Sequence, residues 1–399
     1  MYHGYNQTST AYQYGRICAS NLTTPFSLAR KGAGIVLRWR ESSSCWCMSV
    51  RSFWKVIIVI GIWTNSVFPP LARADNPPVV DATTDAIIKG SLKFLAAKQS
   101  PGGAWSANGN NHMAAITGYV LIAFMATGNL PGEGEYGQTC SRAVNFLLDC
   151  VRPDGYIAAP TGESNMYNHG IATIALGEAY GQMRDPTIRP KLERAVKLII
   201  ACQNAAGGWR YQPRIADADI SVTVLQVVAL RVARESGLDV PEATIDRAVD
   251  FVKSCNDQTS GGFGYQPQSR RGPGFARTAA AIYSLQVCGL YDDPMVKRGS
   301  DYLIQQMNNF RDGKKMQWFT YGNFYAGPAQ YMIGGDTWAA WYRNIKSILL
   351  SPGVLNPGPD GSNFWRPLDG GGGVNEVYAT AVYTTILAMP YGYLPLYQR

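Results

Sequence analysis

Gln99-Ser100-Pro101-Gly102-Gly103-Ala104-Trp105 and Gln203-Asn204-Ala205-Ala206-Gly207-Gly208-Trp209 are two copies of one pattern, and Gln258-Thr259-Ser260-Gly261-Gly262-Phe263 is a shortened third. Looser copies stand at Asp154-Gly155-Tyr156, at Asp312-Gly313 with Trp318 beyond it, and at Asp360-Gly361 ahead of Phe364-Trp365. Measured on Gly103, Gly155, Gly208, Gly262, Gly313 and Gly361, the steps are 52, 53, 54, 51 and 48 residues. A near-constant step of this length marks a chain of stacked supersecondary units, each too small to bury its own apolar face.

Two kinds of helix flank each glycine turn. The stretch before it is amphipathic: Leu192, Ala195, Val196, Ile199 and Ile200 fall at i, i+3, i+4, i+7 and i+8, while Lys191, Arg194 and Lys197 face away. Arg142-Ala143-Val144, Arg247-Ala248-Val249 and Arg298-Gly299-Ser300 open matching stretches. The stretch after the turn, as in Ala114–Ala126 and Ile220–Ala233, is apolar on nearly every side and must be covered on every side. Thr117, His169, Thr223, Thr278 and Thr380 share one register of these second helices; the fifth copy, around Tyr325–Gly335, is glycine-rich and departs from it. The economical solution is all-α: six helical hairpins forming an outer ring of amphipathic helices and an inner ring of apolar ones, an (α/α)6 toroid. An open solenoid has the same period, but inner helices this apolar leave no wet concave face, which favours closure.

The front of the chain reads as an address. From Met48, Arg51 and Lys55 form a basic start, Val56–Trp63 is an apolar run, and Ala72-Arg73-Ala74 precedes Asp75. That is the layout of a secretory signal, cleaved after Ala74, and eight apolar residues fall far short of the about 20 needed to span a bilayer. Residues 1–47, without helical or strand period, read as a non-structural leader, 48–74 as the signal and 75–399 as one toroid domain with no spanning helix. The product is expected outside the cytoplasm, periplasmic or extracellular.

The net charge of +8 is concentrated in the same segment. Eight of the 36 bases and one of the 28 acids lie in residues 1–74, which leaves 28 bases against 27 acids and no basic stripe for nucleic acid. Cys150, Cys202 and Cys255 recur at the ends of successive outer helices and read as small buried residues, with their pairing undetermined. With His112 and His169 as the histidines of the toroid and no CxxC spacing, no metal or other cofactor is expected.

The Gln-x3-Gly-x-Trp pattern of Gln99–Trp105, with its near copies, resembles the repeat motif of the terpenoid-cyclase and protein-prenyltransferase superfamily over about Ala82 to Arg399. Met166-Tyr167-Asn168-His169-Gly170 and the terminal Tyr393–Arg399 look most like the exported prenyltransferase and squalene oxidase repeat proteins of that superfamily. The resemblance implies a squalene-cyclase-like toroid and places Asp217-Ala218-Asp219-Ile220 on the squalene cyclases' acidic motif. Asp219 falls on the acid position, Asp217 on the first carboxylate, and Ile220 replaces the last one. The plain reading of Asp219 is an N-cap accepting from Ser221 or Val222; the other is the acid that starts a cyclisation. The resemblance does not carry prenyltransferase zinc chemistry, because Ala379 stands where that family has its His.

An apolar, isoprenoid-like ligand held in the central cavity would meet Tyr167, His169, Trp209, Tyr211, Phe275, Trp318, Tyr321, Tyr325, Trp365 and Tyr378, unless these rings pack between repeats. The alternative is an exported scaffold that binds a protein or an envelope component and does no chemistry. A carbohydrate-active toroid ranks third: Glu163 and Glu178 are available acids, but no pair stands at a suggestive spacing.

Overall fold

The computed structural model describes residues 26–30, 35–39 and 78–398, apart from 269–271, 312–315 and 369–373. The chain divides into two compact units, Met1–Ala72 and Arg73–Arg399. In the first, β1 (Phe26–Arg30) pairs antiparallel with β2 (Ile35–Trp39), so part of the stretch read as lacking regular structure does form strands. The signal-like segment 48–74 lies outside the described residues.

The second unit alternates outer and inner helices. The outer ones are α1 (Ala82–Ala97), α3 (Gly137–Asp149), α5 (Arg189–Cys202), α7 (Glu242–Ser254), α9 (Pro294–Arg311) and α11 (Gly335–Leu349). The inner ones are α2 (Met113–Met125), α4 (Met166–Met183), α6 (Ile220–Glu235), α8 (Phe275–Val287), α10 (Phe319–Ile333) and α12 (Glu376–Ala388). A short antiparallel pair, β3 (Leu355–Pro357) with β4 (Asn363–Trp365), lies between α11 and α12. Among the described residues no helix is long and apolar enough to cross a membrane.

Each inner helix packs on the next, α2 on α4, then α6, α8, α10 and α12, and α12 packs back on α2 and on α1. The ring is therefore closed, as the apolar inner helices require. The seam is specific: Ser91 and Thr384 share a hydrogen bond of 2.8 Å, Phe94 stacks on Phe364 at 5.0 Å, and Lys346 pairs with Asp81. On α5 the buried set is Leu192, Ala195, Val196, Leu198, Ile199 and Cys202, whereas α2 buries every residue from Ala114 to Met125. All five described cysteines are unpaired, and burial pushes the thiols of Cys140, Cys150, Cys255 and Cys288 up to about 12.

The repeat motif has a mechanical explanation. Gly103, Gly155, Gly207 and Gly261 take φ of 87, 93, 90 and 76°, so the left-handed glycines in the third and fourth turns stand one residue before Gly208 and Gly262. They also lie against the next outer helix: a Cβ on Gly103 would meet the Arg142 carbonyl oxygen at 2.4 Å, and one on Gly155 the Arg194 oxygen at 2.3 Å. Gln99 Nε2 donates to Gly103 O and to Thr139 O, both at 3.0 Å, and Gln203 bridges Gly207 and Thr244 in the same way, at 2.8 Å each. The motif thus joins a turn to its own hairpin and to its neighbour. In the fourth turn an extra residue shifts the frame, and Asn256 Nδ2 reaches Gly262 O at 3.2 Å within its own turn.

Candidate functional site

The inner helices point their N-termini at one end of the ring, where the acid-motif residues lie. Asp219 is the N-cap of α6 and is fully buried. Its Oδ1 accepts from the Ser221 amide at 2.9 Å, the Val222 amide at 3.0 Å and the Ser221 hydroxyl at 2.5 Å. Its Oδ2 accepts from Arg210 Nη1 at 2.9 Å. Both oxygens of the candidate acid are thus engaged by donors of the chain itself. The capping reading holds in geometry, and Arg210 is a partner the sequence reading missed.

Arg210 organises the rim. Its Nη1 also donates to the Tyr265 hydroxyl at 3.1 Å, and its Nε lies 3.4 Å from Asp217 Oδ2. The guanidinium lies over the rings of Tyr211 and Tyr265, at 4.7 and 5.4 Å from their centroids. The Tyr211 and Tyr265 hydroxyls bond to each other. Asp217 is half exposed and accepts from Gln266 Nε2 at 2.7 Å, while Tyr211 is 38% exposed. The rim therefore offers solvent part of the Tyr211 side chain, its ring packed by Arg210 and Tyr167, beside charged and amide groups.

Inward from the rim the axis is filled with aromatic rings. Tyr167 on α4 and Tyr321 on α10 meet edge to face at 6.3 Å, although those helices stand opposite each other in the ring. Contact across the full diameter means that side chains occupy the centre at this level. Tyr167 shares a hydrogen bond of 2.6 Å with Ser221 Oγ, and Tyr321 donates to Ser221 O at 2.7 Å. Deeper, Tyr321 meets Tyr325 at 4.9 Å, and Tyr119 packs edge-on against Phe324 and Tyr378 at 4.8 and 5.0 Å. Burial holds the phenols of Tyr119, Tyr167, Tyr321 and Tyr325 well above their ordinary range, so they stay neutral donors.

At the far end the C-terminal segment closes the column. Leu394, Leu396 and Tyr397 are buried, and the Leu396 amide donates to the carboxyl of Glu178 on α4. Among the described residues Glu178 Oε2 and the Tyr283 hydroxyl have no hydrogen-bond partner, and burial pushes the Glu178 carboxyl up to about 8.

Five expected ligand residues are placed elsewhere. His169 is fully buried inside its hairpin: Nδ1 accepts from the Ile157 amide at 3.1 Å, and Nε2 reaches Ala195 O at 3.2 Å. It does for Ile157 what the threonine hydroxyls do for Trp105, Trp209, Phe263 and Trp365, whose amides donate to Thr117, Thr223, Thr278 and Thr380. Trp209 and Trp365 are also structural, since their indole N–H groups donate to the last-turn carbonyls Ile199 and Leu349 of the outer helices, at 2.8 Å each. An indole in that position satisfies and covers a helix end, which leaves it no face for a ligand. Trp318 is not the counterpart of Trp209: it is 54% exposed, and the buried aromatic beside it is Phe319, stacked on Phe310 at 4.4 Å. Tyr167, Tyr211, Tyr321, Tyr325 and Tyr378 do gather at the rim and axis, together with Tyr265 and Phe324 of the same aromatic cluster, and Tyr119 and Ser221 are members that the sequence reading did not assign. Phe275 and Trp318 line a separate cavity of about 350 Å³.

No protein-family model matches the chain. Its fold is similar to that of cellobiose 2-epimerase from Bacillus thermoamylovorans B4167, with a TM-score of 0.57 and 14% identity, over 77% of this chain and 99% of that one. It is similar to the glycoside hydrolase family 76 mannosidase Bt3792 from Bacteroides thetaiotaomicron VPI-5482, with a TM-score of 0.55 and 11% identity, over 77% and 98%. It is likewise similar to the type II terpene cyclase MstE from Scytonema, with a TM-score of 0.52 and 14% identity, over 79% and 100%. The (α/α)6 toroid expected from the repeats is the fold these proteins share.

Proposed function

We propose that this chain is an exported toroid that binds a glycan of the cell envelope at its rim and carries out no acid-initiated cyclisation. The reading rests on Asp219. A Brønsted acid for an alkene must hold a proton toward an open, dry space. The carboxylate of Asp219 is instead enclosed by Ser221, Val222 and Arg210, and the axis beyond it is filled with tyrosine rings. The group left to meet a ligand is the rim: the partly exposed Tyr211, its ring packed by Arg210 and Tyr167, with Asp217 and Gln266 beside it. A phenol edge among charged and amide groups suits a sugar, with its hydroxyl edges, better than a hydrocarbon. Two of the fold neighbours, a mannosidase and a cellobiose epimerase by name, act on carbohydrate and support the choice.

One observation favours the cyclase reading: the chain of short hydrogen bonds from Tyr167 through Ser221 to Asp219 links the acid position to the axis. One experiment separates the two. Purified full-length protein is sedimented with envelope polysaccharide and, separately, incubated with squalene followed by gas chromatography. Retention on the polysaccharide that Tyr211→Ala abolishes, with no squalene product, is the expected result. Cyclised product lost in Asp219→Asn would overturn it.

A further inference from the structure

We infer that Trp318 and the cavity beneath it form a second sugar-binding subsite, separate from the Arg210 rim; the inference rests on the glycan-binding reading above. Trp318 carries two costs at once. Its backbone is left-handed, φ 59° and ψ 36°, a conformation that bulky residues avoid. Its side chain is also 54% exposed, whereas Trp105, Trp209, Trp338, Trp341 and Trp365, the other tryptophans of the second unit, are buried.

Folding alone would not select tryptophan here. The position starts α10 by offering its carbonyl to the Gly322 amide at 2.7 Å, which any residue can do, and its side chain makes no capping bond. Glycine or asparagine would take the same backbone at lower cost. His112 is a useful contrast: it begins α2 in the same conformation, but its Nδ1 lies 3.1 Å from Asn168 Nδ2 and its amide donates to Glu163 O at 3.2 Å. The strain at His112 accompanies local contacts; the strain at Trp318 accompanies an exposed ring on the edge of a cavity.

That cavity, about 350 Å³, is within the usual range for small-molecule sites. Phe275, Tyr302 and Phe310 give it apolar walls and Gln306 adds an amide, while Arg277 at the same edge already donates to the Gly272 carbonyl at 2.7 Å. A wall of this mixed character fits a pyranose, which presents C–H groups on its faces and hydroxyls at its edge. An isoprenoid chain would leave the Gln306 amide facing hydrocarbon, at the cost of burying a polar group unpaired.

Full-length protein is titrated with cello-, manno- and chitohexaose by isothermal titration calorimetry, for wild type, Trp318→Asn, Trp318→Tyr and Tyr211→Ala. The inference expects saturable binding of at least one hexasaccharide, weakened about tenfold or more in Trp318→Asn and largely kept in Trp318→Tyr, with Tm in Trp318→Asn unchanged or higher. Trp318→Asn that binds as tightly as wild type while Tyr211→Ala does not would overturn this subsite and leave the rim reading standing. Trp318→Asn with a lowered Tm would make the residue structural and also overturn it. Wild type that binds none of the three sugars would overturn the glycan-binding reading itself, and the subsite with it.

Discussion

The His169 imidazole accepts the Ile157 amide proton through Nδ1, at 3.1 Å, in the place where neighbouring hairpins use a threonine hydroxyl. Because Nδ1 accepts, the ring proton sits on Nε2 and faces the Ala195 carbonyl at 3.2 Å, so the histidine is built in as a neutral group. Burial lowers it from 6.5 to about 4.

The sign of its linkage follows. Below about pH 6.5 the unfolded chain takes up a proton that the folded chain refuses until about pH 4, so the histidine's stabilising contribution is complete above 6.5 and is lost as pH falls through that window. His169→Thr is expected to cost roughly 2–3 kcal/mol at pH 7, from one hydrogen bond and a small cavity. At pH 5 that penalty should shrink by roughly 2 kcal/mol, because the variant has no imidazole to protonate. Urea unfolding of both proteins at the two pH values measures the difference; a penalty that does not change with pH refutes the assignment.

Gly207 and Gly102 make a matched pair. A Cβ on Gly207 would stand 2.0 Å from the Arg247 carbonyl oxygen, at a φ of 90°, whereas one on Gly102 meets nothing within 4 Å. Gly207→Ala should therefore destabilise the ring by about 3 kcal/mol or more. Gly102→Ala should be neutral or stabilising by up to about 1 kcal/mol, since it restricts the unfolded chain without straining the folded one. Thermal melts of the two variants should move in opposite directions or differ severalfold in size.

Glu178 titrates in the opposite sense to His169. Its folded carboxyl stands at about 8 and its unfolded one near 4.5, so its contribution is intact below 4.5 and is lost as pH rises to 8. Glu178→Gln, which keeps the shape and removes the titration, should match wild type near pH 4.5 and exceed it by a few kcal/mol at pH 8. Glu235 on α6 contributes to the raised value, although Arg231 pairs with it at 2.5 Å, and Tyr283 and Tyr397 complete the surroundings.

Asp219→Ala removes the acceptor for two backbone amides and leaves Arg210 without its buried counter-charge. The expected cost is about 3–5 kcal/mol, the range for breaking a buried pair by deleting one member. Asp219→Asn keeps an oxygen for the amides and should lose less. Equal losses in chemical unfolding would mean that the cap contributes nothing separable from the ion pair.

The period and the two classes of helix were legible because both are repeated physical necessities. The turns at Gly103, Gly155, Gly207 and Gly261 need a left-handed glycine against the next outer helix, and the inner helices are covered on all sides. The frame within a turn was less legible, since Gly207-Gly208 and Gly261-Gly262 offer two candidates each and only φ tells them apart. The site was harder still. Register placed His169 correctly along its helix but could not show that Ile157 would claim its nitrogen. The tryptophan of the motif looked like ligand surface because sequence does not reveal which carbonyl an indole meets. Arg210 had one available signal: it is the cation between Trp209 and Tyr211, next to a conspicuous motif and two residues from nothing else charged.

Because α12 packs on α1, the two ends of the folded domain are neighbours and no hairpin is a first or a last one. Asp81 and Asp85, at the start of α1, are held by Lys346 and Tyr391 from the other end of the sequence. The break in the chain at this seam is thus interchangeable with a break at any other outer turn. A circular permutant joined across the seam and cut at the exposed Ala205-Ala206 loop should fold to the same ring, and a host protein could carry the whole ring as an insertion anchored at a single point on its perimeter.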